Sequence, residues 1–223
     1  SMRSKPPAAP AFAGATDAFA AYPDMRDPRI MVAVPRDRRA ATAALWAFAE
    51  RLTKLLADAR EPLIGQIKLA WWRDMAAMLA DDPAALPKGE PLLAELAASW
   101  AGRGGLDTLV DAAEAMLVAD DAAARDAAAR AFGGALFALS GAPADGGARW
   151  GLAWGAALHE GASDAQHFFA AARNQTPPPR GSFRGNKALL MLDRWAGAIA
   201  AHDGKRHWRS EGLLLLRLGL FGR

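Results

Sequence analysis

Proline and glycine cut this chain into segments of roughly ten to twenty residues, and most of these segments repeat apolar residues at steps of three and four. The main breaks fall at Pro83, between Pro87 and Pro91, at Gly102, Gly104 and Gly105, at Gly141 and Pro143, and across Pro177, Pro178 and Pro179. No period-two alternation survives between them, so strands find no support. Alanine dominates the apolar residues, leucine follows, and β-branched residues are scarce, which favours helix over sheet. With 223 residues and a hydrophobic fraction of 52%, the chain can bury one large core.

The pattern predicts about eight helices, at 37–59, 63–80, 92–100, 106–118, 120–139, 145–172, 186–201 and 211–220. Asp37 and Ser210 are the expected caps of the first and last, and Pro62 suits the first turn of the second. Leu45, Phe48, Leu52 and Leu55 form the apolar face of the first. On the second, Ile64, Ile67, Trp71, Met75 and Met78 share one face, with Leu69, Trp72 and Leu79 beside it, so burial is expected over much of its surface. The expected architecture is an all-α, single-domain helical bundle over 21–223. Residues 1–20, rich in Ala and Pro, are expected to be disordered.

There is no cysteine, which excludes disulfides, thiolate catalysis and zinc–cysteine sites. No apolar run reaches the roughly 18 residues of a spanning helix, and no basic region followed by an apolar core reads as a secretory signal. A cytoplasmic protein, in reach of a membrane surface, is expected. The net charge of +3 is unevenly spread: 81–145 holds 4 basic and 11 acidic side chains, whereas 146–223 holds 11 basic and 5 acidic. The basic last third suits phosphate groups, anionic lipid or an acidic partner, or is simply a solvated face. No recognition helix or aromatic-studded basic sheet points to nucleic acid.

The densest motif is Glu61-Pro62-Leu63-Ile64-Gly65-Gln66-Ile67-Lys68-Leu69-Ala70-Trp71-Trp72-Arg73-Asp74, preceded by Pro35, Arg36, Arg38 and Arg39 and by Leu45-Trp46-Ala47-Phe48. Together these resemble the squalene/phytoene synthase family over residues 30–80, and more weakly over 20–200. The resemblance implies a shortened isoprenoid-synthase-like bundle. Active members join two prenyl diphosphates head to head, with Mg²⁺ held between two Asp-rich motifs on facing helices. Carboxylates three or four residues apart share a helix face and can hold such ions, which neutralise a departing diphosphate. Counted from Leu45, the first motif's acids fall on Thr53, Lys54 and Ala57, none of them acidic. Asp58 stands one position off. For the second motif the nearest candidates are Glu160 and Asp164, offset from the family position.

The chain therefore resembles a degenerate branch of that family, similar to the complex I assembly factors that keep the fold and lose the acids. This implies a pseudoenzyme that binds an isoprenoid or other lipid-like ligand, or a protein partner in membrane-complex assembly, with no cofactor. Two alternatives stand beside it. One is a divergent Mg²⁺-dependent prenyltransferase using Glu160 and Asp164 on one ion. The other is a structural interaction module whose centre is filled by aromatic side chains. Lys68, Arg73 and Arg184 are the candidate ligands of a diphosphate, set against a reading as surface cations. Phe48, Trp71 and Trp72 either line a central cavity or pack the core. His159 and His167 accompany Glu160 and Asp164 as a candidate metal cluster, or as a polar stripe. The basic and apolar stretch at 205–221 is a last core helix, an oligomer contact or a peripheral membrane contact.

Overall fold

A computed structural model describes residues 22–159 and 161–222. The segment expected to be disordered, 1–20, and the candidate Glu160 lie outside the described residues. The described residues form helices and no strand: α1 (Pro28–Met31), α2 (Arg39–Asp58), α3 (Pro62–Asp81), α4 (Pro91–Trp100), α5 (Leu106–Val118), α6 (Ala122–Leu139), α7 (Ala148–Ala157), α8 (Ala162–Asn174), α9 (Lys187–Ala201) and α10 (Trp208–Phe221). These are ten helices among the described residues rather than about eight. One addition is the short α1, where Asp27 caps the turn at Arg29 N–H. The other arises because the predicted helix at 145–172 is broken.

That break is set by packing. α7 ends at Ala157, and the chain turns so that the ring of Phe168 on α8 lies against Gly155, where a Cβ would fall 2.8 Å from it. An unbroken helix would keep Phe168 more than three turns along the axis from Gly155. The His159 ring then lies beside Phe168, 5.0 Å between centroids.

α7 is the central element. All of Ala148 to Ala156 is buried, as a helix apolar on every side requires. It reaches this position through backbone contact with α6. A Cβ on Gly147 would meet the Gly133 carbonyl oxygen at 2.0 Å, and one on Gly151 would meet the Ala129 carbonyl oxygen at 2.1 Å. Arg149, on the same helix, is neutralised by Asp193 of α9, which is 0% exposed, and lies flat over Gly197. Arg194 adds a second cation to Asp193 and ties the Pro178 carbonyl of the preceding loop. Burial pushes the Asp193 carboxyl above its ordinary range, against the pull of the two arginines.

The sidedness of α3 departs from the reading above. Its buried face is Gly65, Leu69, Trp72, Met75, Ala76 and Leu79. Ile64 and Ile67 point to solvent instead, with Ile67 63% and Trp71 40% exposed. Small residues decide this: Gly65 lets Leu117 of α5 approach to where its own Cβ would be 2.7 Å away, a contact that a larger side chain would block.

α10 begins at Trp208, ahead of the expected start. Ser210 does not cap it; its hydroxyl donates to the His207 carbonyl. The cap comes from Glu211, which accepts from His207 N–H at 2.7 Å, from Trp195 Nε1 at 2.8 Å and from Arg206. Burial alone would raise the Glu211 carboxyl, but the bonds from Arg206, Trp195 and His207 outweigh it and leave it lowered. Since the folded pKa lies below the unfolded one, this contribution is complete above the ordinary value of 4.5 and is lost as pH falls through the folded pKa.

Three outcomes are expected. Gly151→Ala should cost at least about 3 kcal/mol in urea unfolding, because backbone cannot yield as a side chain does. Gly212→Ala, where nothing lies within 4 Å, should instead gain roughly 0.5–1 kcal/mol. Glu211→Gln should lower stability at neutral pH and flatten the acid limb of the stability curve below about pH 4.5.

Candidate functional site

Thr53, where the sequence resemblance implies an acid, sits inside the core at 3% exposure. Its hydroxyl donates back to the Ala49 carbonyl at 2.7 Å and accepts from Trp154 Nε1 of α7 at 2.9 Å. The Trp154 ring stacks on Phe132 of α6 with centroids 4.0 Å apart. Trp46 and Trp150 meet edge to face at 5.2 Å, and Trp150 Nε1 donates to the Pro23 carbonyl. Tyr22 leans on Trp150, and burial, then Asp24, pushes its phenol well above the usual range. Trp46, Phe48, Phe132, Trp150, Trp154 and Phe168 are all fully buried. Aromatic rings fill the space between α2, α6, α7 and α8. Phe48 is thus a core residue and not a cavity wall; it backs Trp72 at 5.2 Å.

Outside this centre, α2 and α3 frame an open groove of about 470 Å³, lined by Arg51, Lys54, Leu55, Asp58, Lys68, Trp71 and Trp72. It turns the α2–α3 corner into a neighbouring hollow walled by Leu55, Asp58, Arg60, Ile64 and Lys68. Trp71 and Trp72 meet edge to face at 4.9 Å, so one indole is core and the other forms an exposed wall. The Arg51 guanidinium lies 5.7 Å from the Trp72 ring centre and is fixed by Glu90, through two bonds of 3.1 Å. This holds the Glu90 carboxyl below its ordinary value, Arg51 being the main cause. Lys54 pairs with Asp58 at 3.6 Å, four residues on. Lys68 faces the groove and makes no ion pair among the described residues. The site therefore joins an apolar wall to three cations and one carboxylate.

The other candidates are not brought together. Arg73 points to α5, where Glu114 at 2.6 Å and Asp111 at 2.7 Å hold it, Glu114 being the first cause of its raised pKa. Arg184 lies on the loop before α9. Its neighbour Asn186 meets Arg38 at the start of α2, so the loop and Lys54 are separated by about 24 Å of helix at 1.5 Å per residue. Asp164 pairs with Arg125 at 3.7 Å and His167 with Asp126 at 3.1 Å, both partners lying on α6. His159 stands outside α8 and bonds the Gly155 carbonyl. Among the described residues no three His, Asp or Glu side chains converge as metal ligands would.

Arg51, Lys54 and Leu55 escaped the sequence reading as groove residues. Their signal was the i, i+3 pair of cations on α2, which needed the α3 partner to become a site. Comparison with known family models, curated proteins and solved structures finds no match to this chain.

Thr53→Val should cost about 1–3 kcal/mol in urea unfolding, the penalty for leaving the Trp154 indole N–H buried without an acceptor.

Proposed function

We propose that this chain is a squalene/phytoene-synthase-like helical protein that acts by binding a protein partner, without head-to-head prenyl transfer, and that the α2–α3 groove is its recognition surface. The observation that carries this is the bond from Trp154 to Thr53, closed over by Phe132. Diphosphate ionisation needs a water-poor cavity with carboxylates aimed at bridging cations. Here the corresponding helix aims a hydroxyl at an indole, and its next position, Lys54, is a cation facing outward. The family assignment rests on the residues around Glu61 to Asp74 and on the all-helical fold. The complex I assembly branch, which the sequence resembles, is an analogy for a binding role.

The groove suits an amphipathic helix with an acidic flank. Leu63, Ile64, Ile67 and Trp71 stand exposed along α3 at helical spacing, and Lys54 and Lys68 border them. Exposed apolar residues in a contiguous row mark contact surfaces more often than isolated ones. A second reading is favoured by the groove's volume and its paired indoles. About 470 Å³ lies within the range of roughly 300–1,000 Å³ seen for small-molecule sites, and an anionic isoprenoid would find both an apolar wall and cations there.

Purified protein incubated with farnesyl or geranylgeranyl diphosphate and Mg²⁺ should form no head-to-head product; turnover overturns the proposal. A photocrosslinker placed at Ile67 should trap a discrete protein in cells, while one at the exposed Ala98 of α4 should not. Trapping at neither position gives the groove to the second reading if farnesyl diphosphate quenches tryptophan fluorescence and Lys68→Gln weakens that quenching. If neither occurs, both fail.

A further inference from the structure

α10 is apolar on two opposite sides. Glu211, Leu215 and Leu218 face the body of the protein and are buried. At 100° per residue, Leu213, Leu216 and Leu220 project on the opposite side, and each is more than half exposed. Phe221 and Trp208 are also more than half exposed, one at each end. A helix that only closes a core carries polar residues on its outer side.

The charges that α10 itself turns to solvent have one sign. Arg209 and Arg217 share the outward side with the leucines; in the turn before α10, Lys205 is exposed and Asp203 is paired with Arg173. Between 204 and 222 the one acid is Glu211, which is 2% exposed and engaged by Arg206, Trp195 and His207. What meets solvent is an apolar stripe bracketed by cations.

We propose that α10 docks this protein on an anionic lipid surface, with Leu213, Leu216 and Leu220 entering the headgroup boundary. The stripe is a ridge along an outer helix, and a fluid bilayer accommodates a ridge without a matching groove. Arg209 and Arg217 lie about two turns apart, where they reach phosphates while their stems follow the leucines. Trp208 takes the place that an indole favours at a membrane–water boundary. The 14 residues of α10 make about 21 Å at 1.5 Å per residue, and no helix among those described is long and apolar enough to cross a membrane. The helix therefore lies in the plane of the surface. Binding costs no folding, because Glu211 and the bond from Lys187 to the Gly219 carbonyl already hold α10 on the body. This inference rests on α10 and is independent of the groove between α2 and α3.

The test is sedimentation of the full chain with phosphatidylcholine vesicles, with and without phosphatidylglycerol. Binding is expected to the anionic vesicles, falling as salt rises, and not to phosphatidylcholine alone. Arg209→Gln with Arg217→Gln should weaken it roughly 30-fold, at about 1 kcal/mol per cation near such a surface. Leu216→Glu with Leu220→Glu should abolish it while leaving the thermal midpoint in place, since both side chains already face water. Lys54→Gln with Lys68→Gln should leave it unchanged, which separates this surface from the groove. Four results overturn the proposal. They are no binding to anionic vesicles, binding that survives the leucine changes, binding lost through the groove lysines, and a wild-type dimer that the leucine changes turn into monomer. Tight binding of polyglutamate without vesicle binding would assign the stripe to an acidic protein.

Discussion

The backbone contact between α6 and α7 sets the dimensions of everything around it. Gly133, Gly147 and Gly151 let two helices approach closer than any side chain permits. That closeness places α7 in the middle of the bundle, where every residue from Ala148 to Ala156 is buried. From there Trp150 reaches the Pro23 carbonyl, Trp154 reaches α2, and Arg149 reaches α9. Each of these links carries a polar group that must be satisfied once water is excluded, and each is. A charged guanidinium on an otherwise apolar helix also fixes the rotation of α7, because a turned helix would leave it without Asp193.

The filled centre and the open groove are two consequences of α2 having opposed faces. Thr53 and Lys54 are adjacent in sequence and point about 100° apart. One completes an aromatic core and the other borders a cationic surface. The cations of α2 thereby stand on the exterior of the bundle, where they are hydrated and screened.

The helices were legible in the sequence because proline and glycine end them for local reasons. Trp100 and Gly102 close one segment, Leu106 opens the next, and the structure agrees there to within a residue. What escaped was decided by tertiary contact. Hydrophobic periodicity assigned Ile64, Ile67 and Trp71 to the core, whereas packing chose the face with Gly65 and Ala76, since small residues allow α5 to come close. Periodicity also ran unbroken through 158–161, and only the seat of Phe168 on Gly155 reveals the bend. Of the site, Lys68, Trp71 and Trp72 were legible from the motif. Arg51 and Lys54 became neighbours of Lys68 only through the pairing of α2 with α3.

The Arg206 guanidinium lies 5.4 Å from the Trp195 ring centre and 3.8 Å from that of Trp208, and it donates to Glu211 below them. All four residues fall within 17 positions of sequence, so this clasp closes a short loop and carries little loop entropy. α10 otherwise packs on α9 and on the brief α1. Its attachment is thus nearly local, while the α6–α7 contact and the bond from Trp154 to Thr53 join distant parts of the chain. In native-state hydrogen exchange the amides of α10 would form their own cooperative unit, opening and reclosing while the glycine-packed centre stays shut.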